Sequence, residues 1–123
     1  KDLKSPFDIH YSDNETLYVS EKGGAETPGS VLSMDSGDAN MKTFKDSLQS
    51  PQGLTTDLYH NLYIADTEAD KILLVTTEGE TILVSDQYES PISFAKTGHG
   101  EILVNTNHNG GMLILIQPTG YTE

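Results

Sequence analysis

The side chains able to do chemistry in this chain are mostly oxygen donors and amides set between apolar runs. Glu21, Asp66, Asp70, Asn105 and Asn107 are of this kind, and His108 stands between two asparagines. Carboxylates and amides can bind a hard cation or orient a polar ligand, and a histidine can act as a general base. The acidic set Glu21, Glu26, Asp66, Glu68 and Asp70 lacks the dense Asp-x-Asp-x-Asp spacing of a dedicated calcium loop, so weak surface calcium is the most it implies. The four histidines His10, His60, His99 and His108 do not cluster at metal-ligand spacing. His108 reads first as a solvated loop residue and second as a base. No phosphate-binding glycine loop, nucleophile elbow or Cys-x-x-Cys motif occurs.

The elements that must position these residues are short strands. From Ser50 to Val84 the chain reads as one four-stranded antiparallel unit. Gln52–Thr56, Leu62–Ala65, Lys71–Thr76 and Thr81–Val84 are the strands, and Asp57–Asn61, Asp66–Asp70 and Glu78-Gly79-Glu80 are the connections. The same order begins at Ser5-Pro6-Phe7 and again at Ser90-Pro91-Ile92, with Leu17-Tyr18-Val19, Leu62-Tyr63-Ile64 and Ile102-Leu103-Val104 as matched second-strand triplets. In the first unit the third and fourth strands are expected at Val31–Met34 and Met41–Phe44, and in the last unit the third at Met112–Ile116. A repeat of about 40 residues with four strands in each copy is the mark of β-propeller blades. The expected fold is all-β, with three blades at about 5–49, 50–89 and 90–123. Second-to-third-strand loops of successive blades emerge on one face of the disc. That face gathers Glu21, Asp66, Asp70, Asn105, Asn107 and His108, where a rigid scaffold usually carries its site.

The pattern Pro-x-Gly-Leu, a turn, Asn61-Leu62-Tyr63-Ile64-Ala65-Asp66 and then Lys71-Ile72 resembles an NHL-type repeat. It is also similar to blades of the gluconolactonase/regucalcin superfamily. The resemblance implies a six-bladed ring and, in gluconolactonase-like members, a divalent cation in the central channel. Part of that cation's ligand set comes from an Asn or Asp just after each blade-opening proline. Here those positions hold Phe7, Gln52 and Ile92. Phenylalanine and isoleucine offer no lone pair, and a neutral glutamine is a weak partner for a hard cation. The expectation is therefore no metal and no cofactor on these blades. Instead, Phe7 and Ile92, with Tyr11 and Phe94, are expected to form an apolar channel mouth, with Gln52, Asp66, Asn105, Asn107 and His108 as polar neighbours. In NHL-like blades the Asp66 position commonly has a structural role, its carboxylate accepting loop N–H groups, and that is the reading favoured for it.

Composition narrows the partners. Lys and Arg number 7 against 19 Asp and Glu, for a formal net charge of −12, which disfavours nucleic acid and anionic membrane surfaces. No apolar run approaches the ~20 residues that span a bilayer. There is no cysteine. The triplet Asn14-Glu15-Thr16 is a glycosylation sequon in an expected turn and tips the expected location toward secretion. Lys1 at the start suggests a processed chain or a fragment, and Asp2-Leu3-Lys4 sits where the last strand of a preceding blade would end.

Three blades do not close a ring, since propellers use about 4 to 8. A second chain or propeller half is therefore expected to complete it. The functional expectation is a non-enzymatic binding protein that holds an apolar or aromatic small molecule at the hub, as pigment or lipophile carriers do. Two alternatives stand beside it: a metal-dependent lactonase of gluconolactonase type whose metal lies in the missing half, and an NHL-type propeller that binds protein partners through its loop face.

Overall fold

The structure is a computed structural model that describes residues 6–12, 15–23, 26–38, 40–87, 89–97, 100–107 and 111–116, with side chains described outside 112–115. Eleven strands run in chain order: β1 (Pro6–Tyr11), β2 (Thr16–Glu21), β3 (Gly29–Asp35), β4 (Lys42–Leu48), β5 (Pro51–Thr56), β6 (Leu62–Asp66), β7 (Lys71–Val75), β8 (Thr81–Ser85), β9 (Pro91–Lys96), β10 (Ile102–Thr106) and β11 (Met112–Ile116). They form three antiparallel meanders, β1-β2-β3-β4, β5-β6-β7-β8 and β9-β10-β11. Among the described residues the one helical element is a 3₁₀ turn at Thr67–Ala69, inside what the sequence reads as a plain loop. No described helix is long and apolar enough to cross a membrane.

Each first-to-second-strand turn is built alike. Ser12, Asp57 and Thr97 donate their N–H to Thr16 O, Asn61 O and Glu101 O at 2.9, 3.1 and 2.9 Å. Their side-chain oxygens accept the N–H four residues on, at 3.4, 3.0 and 3.2 Å. The residue just before that return is left-handed in every case: Glu15 (φ 66°), His60 (φ 67°) and Gly100 (φ 83°). Side chains that accept local N–H groups make such turns self-contained.

Strand alternation gives every blade two faces, and the blades stack face to face. Tyr18, Val31 and Leu48 of the first blade, with Phe44 beside them, bury Leu54, Leu62, Ile64, Leu73 and Val75 of the second. Tyr63, Ile72 and Leu74 on the opposite face of the second bury Ile102 and Val104 of the third, with Phe94 and Ile116 alongside. The face carrying Tyr18 or Tyr63 is termed leading, and the face it covers on the next blade trailing. Edge-on aromatic pairs, Tyr18–Phe44 at 5.1 Å within the first blade and Tyr63–Phe94 at 6.4 Å between blades, belong to these layers. The fan of blades expected from the repeat is therefore observed.

Several strand boundaries differ from the expectation, chiefly those of β3 and β4. β3 begins at Gly29 and β4 runs on to Leu48. The extra residues of β4 include Lys45, Asp46 and Ser47, and an outermost strand wet on its polar side carries no apolar run to betray its length. The stub Lys1–Lys4, the sequon residue Asn14, His99, His108 and the segment Tyr121–Glu123 lie outside the described residues.

Candidate functional site

The innermost strands β1, β5 and β9 open the three blades, and each enters through a bulge. The register slips by one residue between Pro6 and Ile9, between Pro51 and Leu54, and opposite Asn105/Thr106 next to Pro91. The residue after the proline stands in this irregular step each time. Phe7, Gln52 and Ile92 thus take equivalent places at one end of the hub, as the repeat predicts. Bulges at strand entrances re-aim side chains and often lie beside sites. Phe7 is 57 % exposed, while Gln52 and Ile92 are half-buried.

The hub strands approach closely here. A Cβ on Gly53 would stand 2.5 Å from the carbonyl oxygen of Ile92 and 2.7 Å from the Cα of Ser93. Only glycine lets these two backbones meet. Between β1 and β5 the seam is polar instead. The Asp8 carboxylate accepts the Leu54 N–H at 3.1 Å, and the Ser20 hydroxyl accepts the Asp8 N–H at 3.0 Å while donating to Gln52 O at 2.9 Å. His10 Nε2 meets Thr56 Oγ1 at 2.9 Å. Asp8, Ser20 and His10 thereby hold the first blade to the second along the inner strands. This seam was not singled out from the sequence; the alternation of Asp8 and His10 with Ile9 and Tyr11 was its only signal.

The loop-face residues have separate fates. Asp66 is buried, and its two oxygens accept the N–H groups of Ser50 and Gln49 at 2.7 and 3.1 Å. Its carboxylate ties the end of β6 to the segment leading into β5, the structural use of this position. Asp70 does the same for the next blade, accepting the Ser90 N–H at 2.9 Å. Main-chain bonds repeat the tie: Thr67 N–H to Ser50 O at 3.0 Å and Asn107 N–H to Ser90 O at 3.1 Å. Asn107 is exposed at the loop mouth. Asn105 is exposed on β10 opposite Ser93, on the third blade's leading face. Glu21 is buried at the end of β2.

Two residues expected at the channel mouth stand elsewhere. Phe94 pairs with Val104 on the trailing face and packs on Tyr63 between blades. Tyr11 pairs with Leu17, on the face of the first blade turned away from the second. Alternation shows which residues share a face but not which neighbour that face meets.

Among the described residues no group of three His, Cys, Asp or Glu side chains is placed to hold a metal ion. Phe7, Gln52 and Ile92 do not fit a hard divalent cation at the bulge position. On the loop side a polar hollow of about 500 Å³ opens between the first two blades, lined by Glu26, Thr27, Gln49 and Glu68 among others.

No family profile matches the chain, and no curated protein matches it in sequence. Solved structures do match in shape. A protein described as a "putative gluconolactonase" superposes with a TM-score of 0.74 at 19 % identity, over 96 % of this chain and 46 % of that one. Virginiamycin B lyase from Staphylococcus aureus gives 0.62 at 14 % identity, over 94 % and 42 %. A streptogramin B lyase gives 0.62 at 13 % identity, over 94 % and 41 %. The chain thus spans less than half the length of each of these structures. At these identities the likeness speaks for architecture and not for activity. The chain is a run of β-propeller blades of the architecture found in the gluconolactonase-like and lyase structures.

Proposed function

We propose that this chain is the non-enzymatic part of a ring that holds an uncharged small molecule with an apolar or aromatic portion at the hub end. The observation that carries the reading is chemical. The three equivalent bulge positions hold Phe7, Gln52 and Ile92, so these positions present two apolar side chains and one amide. Such a lining suits an apolar ligand oriented by one or two hydrogen bonds. The net charge of −12 disfavours anionic ligands at the same mouth. Further blades complete the ring in this reading, since the chain covers 46 % or less of the matched propellers. Secretion belongs to the proposal too, supported by the Asn14-Glu15-Thr16 sequon; a mass loss on glycosidase treatment of the native protein tests it.

The test is binding of the uncharged dye Nile red to the assembled protein. Phe7→Ala and Ile92→Ala should each weaken the dye's binding by roughly 10-fold, the worth of one lost apolar contact in a pocket. Unchanged affinity in both variants would remove the hub from consideration.

A second reading is favoured by one observation, the shape match to a protein described as a gluconolactonase. In it, lactone hydrolysis depends on a metal held by blades outside this chain. Chelator-sensitive lactonase activity of the full assembly would establish that reading in place of the first.

A further inference from the structure

The second blade has both of its faces covered inside this chain, the trailing one by the first blade and the leading one by the third. What it leaves open is an edge. β8 closes its meander, and among the described residues β7 is the only strand paired with it. Along the other side of β8, alternate backbone N–H and C=O groups therefore meet no strand. β4 holds the same place at the outer rim of the first blade.

The two rims are finished in opposite ways. β4 (Lys42-Thr43-Phe44-Lys45-Asp46-Ser47-Leu48) carries three charged side chains. Its pairing with β3 slips twice, and Ser47 is left-handed at φ 62°. Charges and bulges are the usual means by which an edge strand refuses another strand. β8 (Thr81-Ile82-Leu83-Val84-Ser85) carries no charge, and its first four residues are β-branched or leucine, the types that favour strands. Thr81, Ile82 and Leu83 pair in step with Val75, Leu74 and Leu73, and the slip in this pairing comes after Leu83. Leu83 is 50 % exposed.

Carboxylates stand at both ends of this bare stretch. Glu78 and Glu80 precede it and Asp86 follows it, all three exposed. Between Lys71 and Lys96 the sequence has no lysine or arginine. These charges decide what can pair. A second β8 set antiparallel about Leu83 would put Glu80 opposite Asp86 at each end, and like charges directly opposite each other are destabilising. The same carboxylates thus keep copies of the bare edge apart. An extended segment with Lys or Arg three residues to either side of an apolar centre would meet a carboxylate at each end instead. In strand addition the main-chain bonds supply the affinity, and side chains and charges supply the choice of partner.

We infer that the β8 edge of the second blade is a docking strand for an extended, basic-flanked segment of a partner protein. The segment's apolar centre lies beside Leu83, and its Lys or Arg residues lie beside Glu80 and Asp86. This use of the rim is separate from the ligand reading at the hub and does not depend on it.

The experiment is calorimetric titration of the wild-type chain with three end-capped peptides. The first is Lys-Thr-Val-Leu-Val-Thr-Lys, the second has Glu at both ends in place of Lys, and the third is the lysine peptide with its three central backbone nitrogens methylated. The lysine peptide should bind one to one and roughly 10-fold more tightly than the glutamate peptide at low ionic strength, with the gap closing as salt is raised. Methylation removes the ladder bonds and should weaken binding by roughly 10-fold or more. Leu83→Lys puts on β8 the kind of charge that guards β4, and should weaken the lysine peptide to a similar extent. Glu80→Lys combined with Asp86→Lys should reverse the preference in favour of the glutamate peptide. All three substitutions fall on exposed side chains, and far-ultraviolet circular dichroism confirms that the variants are folded. Absence of binding by every peptide would overturn the inference. So would a methylated peptide that binds as well as its parent, which would mean charge attraction alone. Undiminished binding to Leu83→Lys would place the contact elsewhere, and a preference that survives the charge reversal would remove Glu80 and Asp86 from it; either would overturn it as well. A wild-type chain that doubles in mass by light scattering, and loses the pairing in Leu83→Lys, would make a second copy the occupant and overturn it equally.

Discussion

The Asp66 carboxylate accepts the N–H of Ser50 at 2.7 Å, from a residue that opens the blade in which Asp66 ends the second strand. The same carboxylate takes the Gln49 N–H at 3.1 Å. One side chain thereby satisfies two backbone donors at the point where the chain crosses from the first blade to the second. Replacement by alanine strands both. Asp66→Ala is expected to lower the stability of the folded chain by about 3 kcal/mol, read from the urea midpoint, while Asp66→Asn keeps one acceptor and should cost about half as much. Equal, small effects from both would mean that water serves these donors as well as the carboxylate does.

Gly53 tests how tightly the hub is drawn. An added methyl meets the backbone of Ile92 and Ser93, which cannot turn aside as a side chain could. Gly53→Ala should cost about 2 kcal/mol by overpacking. Gly37→Ala makes a fair comparison. Its Cβ meets nothing within 4 Å, but its φ of +83° strains any other residue, so a loss of about 1 kcal/mol is expected there. The order of the two midpoints reports whether backbone contact or backbone conformation governs.

His60 occupies a position where another blade uses glycine. It is left-handed at φ 67°, matching Gly100 at φ 83°, and its Nδ1 is buried without a hydrogen-bond partner. His60→Gly relieves both costs and adds flexibility to the unfolded chain. The net expectation is a gain of about 0.5 kcal/mol, seen as a raised thermal midpoint. A loss would show that the imidazole ring makes contacts worth more than its strain.

Tyr18 gives the chain an alkaline limit. Burial, and then the nearby Asp35 carboxylate, raise its pKa above the ordinary value of 10.0. A group held neutral in the folded state contributes its full stability below that ordinary value. The contribution is lost as pH climbs through the higher folded one, because only the unfolded chain ionises readily in between. Stability should therefore begin to fall near pH 10, and Tyr18→Phe should flatten that fall while leaving the neutral-pH midpoint within about 1 kcal/mol. A slope that survives the substitution would place the titrating group elsewhere.

What could be read in advance follows from where the information lies. Leu17-Tyr18-Val19 and its two counterparts are short alternating runs bounded by polar turns, so strands, repeat and blade count were legible. Asp66 was legible as a structural residue because a carboxylate after a buried strand has loop N–H groups within reach. The apolar or neutral character of Phe7, Gln52 and Ile92 was legible, and the bulges place those residues in equivalent positions. Tyr11 and Phe94 were misplaced because their side depends on which blade lies next door, a long-range fact. The end of β4 was misjudged because Lys45, Asp46 and Ser47 give an outer strand no apolar run, and Asp46 and Ser47 face water. The Asp8–Ser20–His10 seam joins residues distant in sequence, and no local pattern announces it.

The central claim is that the three bulge positions make the hub end apolar enough to hold an uncharged ligand. The chain contains no tryptophan, so Phe7→Trp places a single reporter there. Its emission should be quenched as Nile red is titrated into the assembled protein, with the midpoint of the dye's own rise in fluorescence. Dye binding that leaves this emission unchanged, or an assembled protein that takes up no dye, would contradict the account.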